Sequence, residues 1–200
     1  SAESLAELAV PELESKRFVR SFVIGRDVVQ RMDFKWVVDF FGLSEADARA
    51  QAPVLYQRLL VAVKPERDLN RRPTRRLNWW LFGENAPKFR KSVRGLSRYV
   101  ATVETSKFKP FVFLDARVLP DHKLYAISSD DALLLGGLSS RAHQVWAFAA
   151  GGRLGVGNYP TWTNSTCFLP FPFPVCAFDV AERIRQLGEQ LDGHRKRQQA

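Results

Sequence analysis

Arg71, Arg72, Arg75 and Arg76 crowd around Pro73, and Lys88, Arg90, Lys91 and Arg94 follow a short way downstream. A guanidinium meets phosphate oxygens as a planar fork and an ammonium meets them as a point charge. The chemistry this spacing offers is capture of a polyanion rather than bond making. The window from Arg58 to Arg98 holds twelve Lys or Arg against Glu66, Asp68 and Glu84, an excess of nine, equal to the formal net charge of the whole 200-residue chain. The remaining residues balance, 18 basic against 18 acidic. A neutral body with one concentrated basic segment is the electrostatic footprint of a protein that meets nucleic acid. Duplex DNA is the expected partner. RNA binding, or an adaptor whose basic segment meets an acidic protein, stands as the alternative. Trp79, Trp80, Phe82, Phe89 and Tyr99 are interleaved with the charge, so the segment is not a disordered tail. The Trp79-Trp80 pair reads either as a platform for stacking bases or, as such pairs more often are, as core.

No catalytic set accompanies the charge. His122, His143 and His194 are scattered, and Cys167 and Cys176 have neither a nearby histidine base nor the spacing of a zinc site. No metal is expected, and the two thiols are expected to be reduced. The glycine-spaced run Gly151 to Asn158 follows a helical stretch and opens no second one, which excludes the dinucleotide-binding fingerprint. It reads as a tight-turn loop. Asn158-Tyr159-Pro160 has the letters of the Asn/Asp-Pro-Pro-Tyr/Phe motif of amino methyltransferases in the wrong order. Asn164-Ser165-Thr166 matches a glycosylation sequon, but the chain shows no secretory signal. No apolar run reaches the roughly 20 residues of a membrane span. A cytoplasmic, bacterial setting is expected, with no membrane partner.

The elements that must carry these residues alternate irregularly. Residues 17–29 read as extended, and residues 35–40 as a second strand. Ser44 with Asp47 forms a capping-box pattern, and Pro53 kinks or reopens the helix that follows, whose apolar face runs through Leu55 and Leu59. Residues 66–85 look like a long basic loop with Asn70, Pro73, Asn78 and Gly83 as breakers. Residues 86–96 form a short basic helix. Strands are expected at 99–104, 111–114 and 123–127, and helices after Asp130-Asp131 and at 140–150. Pro170, Pro172 and Pro174 hold 167–175 extended. A capped C-terminal helix starts at Asp179. The fold class is α+β: mixed, largely antiparallel sheets with packed helices and a C-terminal helix. Residues 1–16 read as an N-terminal segment or vector-derived remnant, 17–178 as the folded domain, and 179–200 as the helix with its basic tail.

The order of several segments is similar to one known family. Gly95-Leu96-Ser97-Arg98-Tyr99-Val100-Ala101-Thr102 runs into Ser106-Lys107. Phe111-Val112-Phe113-Leu114, Leu119-Pro120-Asp121 and the run Leu138 to Trp146 follow, and Phe168-Leu169-Pro170-Phe171-Pro172-Phe173-Pro174 closes the series. Together they resemble the target recognition domain of MmeI-like DNA adenine methyltransferases, the single-chain restriction-modification enzymes. The Phe-Pro repeat is the most specific element, and the resemblance covers roughly residues 17–195. It implies sequence-specific duplex DNA recognition. It also implies a methyltransferase domain elsewhere in the parent chain, which binds S-adenosylmethionine and receives a flipped adenine. Neither the cofactor motif nor the catalytic motif occurs here, so this chain is expected to bind no cofactor and to catalyse nothing. The arginine and lysine set is assigned to phosphates. Ser106, Lys107 and Lys109, with Arg153, Asn158, Thr161 and Trp162 beside the glycine loop, are the candidates for base edges, Arg suiting guanine and Asn adenine. The other reading of that loop is packing alone.

Overall fold

The computed structural model describes residues 10–33, 35–83 and 85–199. Most of the segment set off at 1–16, with its vector-derived reading, lies outside the described residues, as does Glu84. The chain divides into two compact units, one made of the described residues of 1–22 and 34–86, the other of 23–33 and 87–200. The class is α+β, as the residue patterns require.

In the first unit α1 (Glu12–Phe18) starts with Glu12 and Glu14 and ends with Lys16 and Arg17, the charge order a helix dipole favours. β1 (Val19–Val23) pairs antiparallel with β2 (Lys35–Val38), Val19 opposite Val38 and Phe22 opposite Lys35. Ser44 caps α3 (Glu45–Gln51) by accepting the Asp47 N–H at 3.1 Å. α4 (Pro53–Ala62) opens with proline in its first turn, where the missing N–H costs nothing. Its N-cap is Ala52, which has no acceptor side chain. Buried Glu14 of α1 supplies the acceptor instead, taking the Leu55 N–H at 3.1 Å. Phe18, Phe40, Ala48, Ala52, Leu55, Tyr56 and Trp79 form the core.

Two expectations fail in this stretch. Residues 17–29 are not one extended run. The α1 helix persists through Phe18, and past Ile24 the chain makes α2 (Gly25–Val29), closed by Asp27, whose carboxylate accepts the Ile24 N–H at 2.9 Å. Residues 66–85 are not one loop either. α5 (Lys64–Asp68) and α6 (Pro73–Leu77) each begin with a proline in the first turn. The prolines that look like breakers start helices here.

The second unit is a sheet with helices on it. α7 (Pro87–Ser92) leads into β3 (Arg98–Val103), the central strand, flanked antiparallel by β4 (Phe111–Asp115) and β6 (Leu124–Ile127). β5 (Leu119–Pro120) lies in the connection between the outer two. Strand alternation sorts the side chains. Tyr99, Ala101, Val103, Val112 and Leu114 enter one core with Val23, Val28 and Val93. Val100, Phe111 and Phe113 enter a second core with Leu135, Leu138, Ala147, Trp162 and Cys167. Because β3 is buried on both faces, it reads as an almost continuous apolar run. α8 (Ala132–Ser139) and α9 (Arg141–Ala150) are capped by Asp131 and Ser140. Past α9 come the short strands β7 (Arg153–Leu154) and β8 (Tyr159–Pro160), then a π-type turn at Asn164–Phe168, whose last two residues fall in the 167–175 stretch expected to be extended.

α10 (Phe178–Gln199) belongs to this unit. It crosses α8 at very close range: a Cβ on Gly188 would lie 2.5 Å from the Ala132 carbonyl oxygen, and one on Gly136 would lie 2.7 Å from Ile184 Cγ2. Buried Asp192 accepts the Phe113 N–H at 2.8 Å, and Arg195 donates to the Phe111 carbonyl. Side chains of α10 thus satisfy the outer edge of β4, which would otherwise offer itself to another strand.

Candidate nucleic-acid interface

Asn70 shapes the arginine cluster of the first unit. Its side-chain oxygen accepts the Arg72 N–H at 2.9 Å, and its carbonyl accepts from Arg76 Nη1 at 3.2 Å. This Asx turn ends α5's trailing coil and launches α6, leaving Arg71, Arg72 and Arg76 exposed. Arg75 is half-buried, its guanidinium carbon 3.7 Å from where a Gly83 Cβ would stand, with the Arg67 guanidinium at 3.2 Å from the same point. The exposed three are placed to meet phosphates, Arg76 with one nitrogen already on the Asn70 carbonyl. Arg75 is partly committed to packing.

Lys88, Arg90, Lys91 and Arg94 fall in the second unit, on and just past α7. Phe89 packs edge-to-face on Tyr99 at 5.0 Å and Val93 enters the core. That seats one face of the helix and leaves Lys88, Lys91 and Arg94 exposed, with Arg90 half-buried. Arg98, the last cation of the basic window, is used internally. It grips Glu189 with both terminal nitrogens, donates to the Asp130 carbonyl at 3.0 Å and lies 3.6 Å over the Phe113 ring. The Glu189 hydrogen bonds raise the Arg98 pKa and the same contact lowers that of Glu189. Lys64 is likewise paired, with Asp68 at 2.6 Å. The phosphate candidates therefore form two sets, one on each unit.

The glycine-spaced run is a β-hairpin. Arg153 pairs with Pro160 and Leu154 with Tyr159. The turn between them is closed by the Asn158 N–H to the Gly155 carbonyl, at 2.9 Å. Gly155 has φ +78° and Asn158 φ +48°, left-handed values that glycine and asparagine tolerate. A Cβ at Gly157 would meet the Tyr159 ring at 2.4 Å. Arg153, Leu154, Val156, Asn158 and Tyr159 are all exposed, Val156 completely. Arg153 Nη1 donates back to the Asn158 carbonyl at 3.3 Å. The hairpin rests on the 104–109 loop. The Trp162 N–H donates to the Glu104 carbonyl at 2.7 Å, and Thr105 bridges Thr161. Ser106 turns inward to the Phe108 carbonyl, and Lys107 is exposed over the Phe108 ring at 5.4 Å. The structure therefore brings the two groups of base-edge candidates side by side.

The family model of the MmeI target recognition domain matches residues 1–175 of this chain. The chain belongs to that family. As an MmeI-type target recognition domain it has the fold of a solved relative described as the type IIL restriction-modification enzyme MmeI in complex with DNA, with a TM-score of 0.73 and 21% identity. The match covers 98% of this chain and 25% of that one, so the recognition domain spans about a quarter of the length of the relative. None of the curated proteins searched matches the chain in sequence.

Two of the base-edge candidates of this recognition domain lie in its interior. Trp162 is 0% exposed, packed against Phe111 at 5.6 Å and Tyr125 at 5.2 Å, with its indole N–H toward His143 Nε2 at 3.5 Å. Lys109 is 2% exposed and donates to the carbonyls of Glu104 and Pro160. Both are placed where no base edge reaches them in this conformation, which leaves Ser106, Lys107, Arg153, Asn158 and Thr161 as the candidates nearer the surface. The Trp79-Trp80 platform is also withdrawn. Trp79 is core against Tyr56 at 5.4 Å, and the Trp80 indole N–H donates to the Leu43 carbonyl at 3.1 Å. RNA binding by stacking loses its main support with them. Leu154, Val156 and Tyr159 were not among the candidates, although they share the hairpin with Arg153 and Asn158. The Gly-x-Gly-Asn turn between two short β-compatible pairs is the signal that would have found them.

Proposed function

We propose that this chain is the sequence-recognising module of a restriction-modification enzyme and that duplex DNA is its partner. Membership of the MmeI target recognition domain family over residues 1–175 carries the reading. The arrangement of side chains supports it in two ways. Arg71, Arg72 and Arg76 on one unit, and Lys88, Lys91 and Arg94 on the other, are exposed cations suited to phosphates. The 153–160 hairpin offers Arg153, Asn158 and apolar Leu154 and Val156, all exposed, on a two-stranded element of the kind a major groove admits.

On this reading the parent protein supplies the methyltransferase domain and binds S-adenosylmethionine, methylating adenine, and the chain described here binds no cofactor. The setting is the bacterial cytoplasm. No helix among the described residues is long and apolar enough to cross a membrane. The test is a titration of fluorescent duplex DNA at low and moderate salt, with an acidic protein and single-stranded RNA as competitors. Binding that falls steeply with salt and prefers the duplex supports the proposal. No duplex binding at low salt, with capture of the acidic competitor, overturns it in favour of an adaptor.

A further inference from the structure

Buried lysines are rare, because removing an ammonium from water is costly unless its donors are met. Lys109 is one, and among the described residues its ammonium donates to backbone carbonyls. Its Nζ donates to the Glu104 carbonyl at 3.1 Å and to the Pro160 carbonyl at 2.5 Å. Its own carbonyl is held by Gln144 Nε2 of α9 at 3.0 Å. Glu104 begins the loop that carries Ser106 and Lys107, and Pro160 ends the hairpin that carries Arg153 and Asn158. The same junction holds the Trp162 N–H on Glu104 and the Thr161 N–H on the Gly152 carbonyl at 2.8 Å. The approach at Gly151 is closer still: a Cβ there would stand 2.2 Å from the Thr161 carbonyl oxygen. At the hairpin's far end the contacts are sparse, the tip being exposed from Gly152 to Tyr159.

We propose that Lys109 is a positioning residue: its ammonium pins the base of the 153–160 hairpin to the 104–109 loop, so that the two candidate reading segments act as one rigid element. The inference rests on the DNA-recognition reading for its purpose, but not for its geometry. An ammonium with one carbonyl partner in its own loop and another 51 residues further along the chain is a cross-link between loops, and loops gain precision from such ties. Burial lowers the Lys109 pKa to about 8, while the neighbouring Glu104 carboxylate and Cys167 thiol act the other way. A neutral amine still has N–H groups to donate, so the tie depends on the nitrogen rather than on the charge.

The test replaces Lys109 with methionine, which keeps the stem and removes the donors. Hydrogen exchange is followed at the amides of Thr161 and Trp162 and, as a reference, at those of Val100 and Ala101 in β3. The expected result is exchange at least tenfold faster at Thr161 and Trp162, with β3 unchanged. Thr105→Val serves as the control for disturbing the same junction, because the Thr105 hydroxyl is buried without a partner among the described residues; it should leave all four amides as they are. If K109M does not fold, Gln144→Met, which releases the Lys109 backbone instead, should give the same selective pattern at smaller amplitude. Equal acceleration at all sites, or none at Thr161 and Trp162, overturns the proposal.

A second readout enriches a random duplex pool on wild type and K109M. Wild type should enrich a motif, and K109M should lose it while keeping salt-dependent bulk binding. An undiminished motif in K109M counts against the positioning role. A wild type that enriches nothing counts against the DNA reading alone, and the exchange experiment still decides the role of Lys109.

Discussion

Replacing Arg71, Arg72 and Arg76 together with alanine tests the electrostatic half of the function most directly. These three arginines are exposed, and Arg76 donates to the Asn70 carbonyl. Arg75 is left in place because its half-buried guanidinium packs at Gly83. Arg76 is the one of the three inside α6, where alanine is favourable, Arg72 gives its helix no side-chain cap, and the Asx turn through Asn70 uses the Arg72 backbone, which every substitution keeps. The fold should survive. Each phosphate neutralised contributes about 0.9 to the slope of log K against log salt, so three contacts contribute about 2.7. Between 50 and 200 mM salt that removes roughly 1.6 decades of the salt response, about 40-fold. The assay is fluorescence anisotropy on one duplex at four or more salt concentrations, wild type beside variant. The two lines should converge as salt rises. Parallel lines, or a slope reduced by less than one contact's worth, would mean that this cluster does not touch phosphate, and the argument from charge density would fail for the first unit.

The close crossing of α10 over α8 leaves no room for a side chain, because a Cβ at Gly188 stands 2.5 Å from a backbone oxygen. Gly188→Ala should destabilise the second unit by about 1–3 kcal/mol, seen as a lower midpoint in denaturant. Lys109 links stability to alkaline pH. Its folded pKa of about 8 lies below the ordinary 10.5, so between those values the unfolded chain holds more protons and stability rises with pH. The difference in unfolding free energy between wild type and K109M should grow from pH 8 to pH 10 by about 2 kcal/mol; a flat difference would refute it. His143 acts in the same direction, at lower pH. Burial lowers its pKa, its Nδ1–H donates to the Leu138 carbonyl at 2.7 Å, and the unfolded imidazole takes up its proton first. Stability should fall as pH drops below about 6.5, and nitrogen NMR should find the neutral ring protonated at Nδ1 and titrating below a free imidazole. Finally, Asn158→Gly removes an amide while keeping the left-handed turn, whereas Asn158→Ala strains it. The glycine variant should lower sequence discrimination with the salt slope unchanged, and equal loss of all binding would show that the hairpin does not read bases.

The strands of the sheet were legible in the residues, because β3, β4 and β6 are short, largely apolar runs, and Ser44, Asp131 and Ser140 mark helix starts that the backbone uses. The failures have local causes. Pro73 reads as a breaker but initiates a helix, since its missing N–H costs nothing in the first turn. The 153–160 hairpin is too short to show strand periodicity. In the candidate site, exposure was the illegible quantity. Lys109 and Trp162 have the right chemistry for a base edge and sit beside residues that are exposed, and only the contact of Glu104 and Pro160 with one nitrogen reveals that Lys109 faces inward. Arg98 shows the same limit. Composition counts it with the basic window, while Glu189, remote in sequence by 91 residues, claims it.

Subtracting the internally used cations sharpens what the remaining charge can do. Phosphates are the same at every base pair, so Arg71, Arg72, Arg76, Lys88, Lys91 and Arg94 can hold a duplex and fix its register but cannot select a sequence. Selection has to come from a surface that presents donors, acceptors and apolar contacts at fixed positions. Among the described residues the 153–160 hairpin with the 104–109 loop fits that description: two left-handed turn residues set its tip, and a buried lysine and two backbone bonds set its base. The division explains why a strongly basic chain would invest a buried ammonium where none is needed for binding strength. Affinity tolerates flexible arginines on the surface, whereas discrimination between base pairs depends on holding a few neutral groups in place.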